Sequence, residues 1–140
     1  MSDSVGWSME NIIYEEKNAC DIRSFDGLKH TVLSTLGKNE RSKIIILVCE
    51  EIFSNIINYS KADEVSFALK QTDYGLSVFF TDNGLPFDPV NAKLHEKEFE
   101  ELDSGGMGLM LARMNTKEMV YKREGDKNVL MLRFDIDEKQ

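Results

Sequence analysis

Three short segments of the 140-residue chain hold the groups that could do chemistry: Glu51-Ile-Phe-Ser-Asn55, Asp82-Asn-Gly84 and Gly105-Gly-Met-Gly108. Glu51 and Asn55 are four apart, so one helix face presents both side chains together. A carboxamide oxygen beside a carboxylate suits Mg²⁺ and an ordered water, because Mg²⁺ takes hard oxygen ligands and keeps part of its hydration. Glu50 is adjacent and points about 100° away, so the spacing selects Glu51. In isolation the pair is also what a solvated polar stripe looks like. Asp82-Asn-Gly84 is good turn chemistry on its own. Its alternative use is a carboxylate accepting from an exocyclic amine such as that of adenine, with Gly84 letting the backbone approach the base. Phe87 and Pro89 would shape the apolar side of that pocket. Glycines opening a helix expose backbone N–H groups at the positive end of the dipole, which cradles phosphate; the alternative is a hinge. The spacing is not GxGxxG and no Lys follows the last glycine, so the Rossmann and P-loop folds are disfavoured.

These groups need elements to hold them, and the hydrophobic pattern supplies a consistent set. Residues 11–16 form a β-prone first strand after a loose terminus at 1–10. Ile22, Phe25, Leu28, Val32 and Leu36 mark a helix over 18–36 that Gly37 stops, with Gly27 an unfavourable interior residue. Residues 39–60 give the strongest helix, capped by Asn39, with a broad apolar face from Ile44 to Ile57. Val65, Phe67 and Leu69 alternate as a strand, Thr72–Gly75 turns, and 76–81 returns. Residues 90–104 are highly charged and read as a lid. A helix over 106–115 turns Leu109, Leu111 and Met114 inward, and two strands meet at Gly125-Asp126. This order predicts one α+β domain over residues 1–140: a two-layer sandwich with a mixed, mostly antiparallel sheet and helices on one face.

Composition narrows the function. The formal charge is -8, from 25 acids and 17 bases, which argues against nucleic acid and anionic membranes as partners. No apolar run reaches the roughly 20 residues of a membrane span, and the first residues do not read as a secretory signal. A cytoplasmic protein is expected. Cys49 sits in an apolar run as a reduced core thiol; Cys20 carries no signal, and neither cysteine is spaced with His30 or His95 as a metal ligand.

Together and in this order, the segments resemble the signature boxes of the GHKL ATPase superfamily. Glu51 to Asn55 resembles the N box, Asp82-x-Gly84 the first glycine box and Gly105-Gly-x-Gly108 the second. The longer runs Glu51–Tyr59, Asp82–Pro89, Gly105–Arg113 and Tyr121–Leu130 are similar to the small bacterial anti-sigma factor serine/threonine kinases. The resemblance implies the Bergerat fold, ATP and Mg²⁺. It implies Glu51 as general base, Asn55 as Mg²⁺ ligand and Asp82 as adenine reader. Gly105, Gly106, Met107, Gly108 and Leu109 would hold phosphates, with residues 90–104 as the ATP lid. Asn128 stands where relatives often have a Thr near the adenine. The resemblance further implies a kinase that phosphorylates a Ser or Thr on a STAS-domain anti-sigma factor antagonist, with a sigma factor as a further partner and a homodimer as the assembly. A nucleotide-gated switch that binds a protein partner without turnover is the alternative, and a detached histidine-kinase catalytic domain a third reading. Two departures stand out. The lid carries five acids against Lys93 and Lys97, and Lys117 replaces an acid common in relatives.

Overall fold

The longest helix starts from a reciprocal cap. Asn39 Oδ1 accepts from the Ser42 N–H at 3.0 Å, and the Asn39 N–H donates to Ser42 Oγ at 3.0 Å. Two of the amides that a helix start leaves without partners are thereby satisfied. The helix that follows, α2, runs Glu40–Tyr59. It is preceded by a 3₁₀ turn, Ile22–Phe25, and by α1, Asp26–Leu36. The computed structural model describes residues 11–17, 21–59, 61–86, 88 and 104–135, with the side chains of 22, 59 and 104–109 excepted. The terminus at 1–10, Cys20, Phe87, Pro89 and lid residues 90–103 lie outside the described residues.

The helix expected over 18–36 begins at 22, in the tighter form. Asp21 Oδ1 accepts from the Arg23 N–H at 2.9 Å and fixes that first turn. Gly37 ends α1 at φ 85°, its N–H donating to the Leu33 carbonyl at 2.8 Å. The unfavourable Gly27 has a steric reason: a Cβ there would lie 1.9 Å from the Tyr14 hydroxyl.

Five strands stand where the sequence places them: β1 Ile12–Glu16, β2 Val65–Gln71, β3 Gly75–Asp82, β4 Glu118–Glu124 and β5 Lys127–Asp135. Their spatial order is β1-β2-β3-β5-β4, and each neighbouring pair is antiparallel. The sheet is thus wholly antiparallel among the described residues, where a mixed sheet was also allowed. Helix α3 spans Ser104–Asn115, between β3 and β4 in the chain.

Register decides which side chains face the helices. Phe67 pairs with Phe80 and Phe80 with Leu130; Leu69 pairs with Val78 and Val78 with Leu132. All of them are buried in one cluster with Leu28 and Val32 of α1 and Ile45, Val48, Ile52 and Phe53 of α2. Phe53 meets Phe67 edge-on at 5.2 Å and stacks on Phe25 at 5.9 Å. Such aromatic pairs add about 0.5–1.5 kcal/mol beyond their buried area, and they pin α2 to the sheet. The helices therefore sit on one face, as the sequence predicts. In α3, Ala112 is buried and Leu111 half-buried, whereas Met114 is 74% exposed. The inward placement expected for Met114 is corrected: Ala112 is the residue that enters the buried core, with Leu111 packed against it.

Candidate functional site

Glu51 and Asn55 lie in the C-terminal half of α2, and both are half-buried. Ile52 and Phe53 hold that part of the helix in the core. Burial pushes the Glu51 carboxyl above its ordinary range, with the adjacent Glu50 adding like-charge repulsion. Withdrawal from water disfavours the charged form, and a carboxylate so tuned is a stronger base.

Asp82 is the last residue of β3 and only 5% exposed. It occupies the helix-facing row of the sheet, where Val65, Phe80 and Leu130 would suggest another apolar residue. A carboxylate is tolerated there because it is partnered. Its Oδ1 accepts from the Gly84 N–H at 2.8 Å and from Asn128 Nδ2 at 3.0 Å. No hydrogen bond among the described residues uses Oδ2. The turn that follows is tied down separately: Asn83 Oδ1 accepts from the backbone N–H groups of Asp63 and Glu64 at 2.8 and 3.0 Å.

Asn128 pairs with Asp82 across β3 and β5 and is 6% exposed. Its Nδ2 also donates to the Leu85 carbonyl at 2.8 Å, and its Oδ1 accepts from the Tyr121 hydroxyl at 2.6 Å and from an Arg123 terminal nitrogen at 3.2 Å. The same Arg123 nitrogen donates to the Gly84 carbonyl at 2.9 Å. Arg123, Tyr121 and Asn83 were not singled out in the sequence. Period-2 alternation along β4 could have put Tyr121 and Arg123 on the row of Asn128, but only the register shows that they meet it.

The glycine segment is not a loop before a helix. Ser104 begins α3, and Gly105, Gly106, Met107 and Gly108 lie in its opening turns. The first four N–H groups of a helix, counted from its N-cap, have no partner within it, so the amides of Ser104, Gly105 and Gly106 keep phosphate-binding capacity at the positive dipole end. From Met107 onward, through Gly108 and Leu109, the amides belong to the helix ladder, and using them for phosphate requires the first turn to open. Helix α2, which carries Glu51 and Asn55, touches both β3 and α3.

The oxygen donors of Glu51 and Asn55 fit Mg²⁺ chemically. Among the described residues no group of three or more acidic, His or Cys side chains could hold a metal alone. A separate concavity of about 410 Å³ lies over Ser66, Ala68, Phe79, Thr81 and Val129. Strand parity puts these on the sheet face away from the helices, so that hollow is distinct from the Asp82 site. Cys49 is free and fully buried, its thiol pushed far up by desolvation. None of the described helices is long and apolar enough to cross a membrane.

The histidine kinase-like ATPase domain model matches residues 30–134, a span that contains every group described above. Among solved structures, the histidine kinase domain of the blue-light activated histidine kinase from Erythrobacter litoralis EL346 is similar in fold. The TM-score is 0.51 at 15% identity, covering 81% of this chain and 60% of that one. No curated protein matches the sequence. The family match and the five-stranded antiparallel sheet with its helices on one face agree, and the chain belongs to the histidine kinase-like ATPase family with its Bergerat-type α+β fold.

Proposed function

We propose that this protein is an ATP-binding serine/threonine kinase of the anti-sigma type, transferring the γ-phosphoryl of ATP to a Ser or Thr of a STAS-domain antagonist. The family supports ATP binding and a kinase-type regulator. The observation that carries the finer reading is Glu51, a half-buried carboxylate whose proton affinity is raised by desolvation. It stands on the helix face that also presents Asn55, and α2 contacts the helix that starts with the glycines. A base next to the phosphate end of a nucleotide is what hydroxyl phosphorylation requires.

Asp82 orients the adenine through its second oxygen, and the buried Gly84 lets the base approach the backbone. Amides of the first turn of α3 receive the phosphates, and Asn55 supplies an amide oxygen for Mg²⁺. The cation, when bound, neutralises charge between phosphate oxygens. Glu51 accepts the proton of the incoming hydroxyl as its oxygen bonds to the γ-phosphorus and the bond to the β–γ bridging oxygen breaks, leaving ADP. Most of the acceleration comes from positioning and preorganised charge. A sigma factor as second partner and a homodimer as assembly belong to the same proposal, supported by the resemblance of the motif runs.

The test is phosphotransfer. Purified chain is incubated with γ-labelled ATP, Mg²⁺ and the cell extract, and the labelled residue is identified by mass spectrometry. Label on Ser or Thr of a STAS-domain protein is expected. Tight ATP binding with no labelled acceptor would replace the kinase by the nucleotide-gated switch.

A further inference from the structure

We infer that Asn128, Arg123 and Tyr121 form a positioning clamp that sets the orientation of Asp82 and of the Gly84-Leu85 turn, and thereby the preference for adenine. The inference rests on the proposed nucleotide reading of this site and adds a specificity device to it. The three strands place the parts in one cross-strand row: Arg123 pairs with Asn128, and Asn128 with Asp82. Directly opposed side chains in a sheet are close enough to bond.

The Asn128 amide has four hydrogen-bonding positions, and all four are filled. Two donors, the Tyr121 hydroxyl at 2.6 Å and Arg123 at 3.2 Å, converge on Oδ1. Arg can only donate, so that side of the amide must be the oxygen. The nitrogen then has to face Asp82, and its two hydrogens go to Asp82 Oδ1 at 3.0 Å and the Leu85 carbonyl at 2.8 Å. Nothing remains with which Asn128 could bond a base directly. Its effect on a nucleotide passes through Asp82, whose Oδ1 it occupies and whose Oδ2 it leaves for the ligand. Arg123, exposed at the edge strand, reinforces this from behind by donating to the Gly84 carbonyl at 2.9 Å. Asn128 and Arg123 are thus positioning residues. The turn is held at its start by Asp82 at the end of β3, and at Gly84 by Arg123 and at Leu85 by Asn128, both from the β4–β5 hairpin.

The experiment measures ADP and GDP affinities of the full chain by competition against a fluorescent ADP analogue. Wild type, Asn128→Ala, Arg123→Ala and Arg123→Lys are compared. The ADP-to-GDP affinity ratio is expected to fall about tenfold in Asn128→Ala and about threefold in Arg123→Ala, as charge-assisted and neutral hydrogen bonds of this size are lost. Arg123→Lys keeps the charge and a donor and restores most of the ratio. Should Asn128→Ala fail to fold, the exposed Arg123 pair decides alone. A wild-type ratio in Arg123→Ala, or equal losses of ADP and GDP, overturns the clamp. Absence of ADP binding by the wild type instead removes the nucleotide reading on which the clamp rests.

Discussion

The Asn128 amide donates to Asp82 Oδ1 over 3.0 Å, joining β5 to β3 at the point where the latter ends. A carboxylate that is only 5% exposed is thereby held through one oxygen, which accepts from both Asn128 and the Gly84 N–H. That arrangement leads to the first of four predictions.

Asp82→Asn places an amide where Gly84 and Asn128 now donate, and the site loses the acceptor that favours an exocyclic amine. ATP affinity should fall at least about tenfold, and preference over GTP should largely disappear, as read by calorimetry. An unchanged ATP-to-GTP ratio would refute the assignment of Asp82.

Glu51→Ala should bind ATP much as wild type does, while phosphotransfer falls by about 10²–10⁴-fold, the usual contribution of a positioned base. Undiminished transfer would move the role to Glu50. The raised proton affinity of Glu51 also has a stability consequence. Folding favours its protonated form, so this group supports stability below the ordinary carboxylate range and loses that support as pH rises through its elevated value. Glu51→Gln removes the penalty of the charge, so its melting temperature should exceed that of wild type at pH 7. The gain should vanish near pH 4, checked by calorimetric melts across that window.

Gly27→Ala should destabilise the domain by about 1–3 kcal/mol through overpacking against the Tyr14 ring. A Cβ at 27 would meet the ring's Cζ at 2.4 Å as well as the hydroxyl. The Tyr14 hydroxyl has its own partner, Glu16 at 2.8 Å, and burial together with that bond pushes its pKa up to about 12. Trimming Tyr14 to Leu should recover part of the loss in the double variant, a coupling that urea denaturation can measure.

Asn39→Ala removes the side-chain half of the α2 cap and should cost about 1 kcal/mol. The measurement is the shift in urea midpoint at unchanged slope. ATP affinity should hold in this variant, because the cap lies at the far end of α2 from Glu51 and Asn55.

Much of the fold was legible because each element announced itself locally. Gly37, Asn39 and the turn at Gly125-Asp126 punctuate the chain where the structure does. The broad apolar face of α2 and the Val65, Phe67 and Leu69 alternation of β2 are legible in the sequence, whereas β3 and β5 bury residues on both faces. The limits of local reading show in α3. The pattern of Leu and Met residues pointed Met114 inward, yet Met114 is exposed and Ala112 is the residue buried in the core. The helix expected over 106–115 starts two residues earlier, at Ser104, so Gly105 also lies within its first turn. Helix propensity is a weak term that packing against α2 can outweigh.

By itself the sequence determined the types and spacing of the functional groups: a carboxylate and an amide one helical turn apart, an acid at a strand end, and glycines next to a helix. It also determined which segments form the strands β2, β3, β4 and β5. The tertiary structure decided which of those groups meet. Strand register put Arg123, Asn128 and Asp82 in one row across three strands, and packing around Phe53 set how deeply Glu51 is withdrawn from water. Spacing fixes neighbours along one element, whereas pairing between elements depends on register and desolvation, which exist only once the sheet and its helices have closed on a common core.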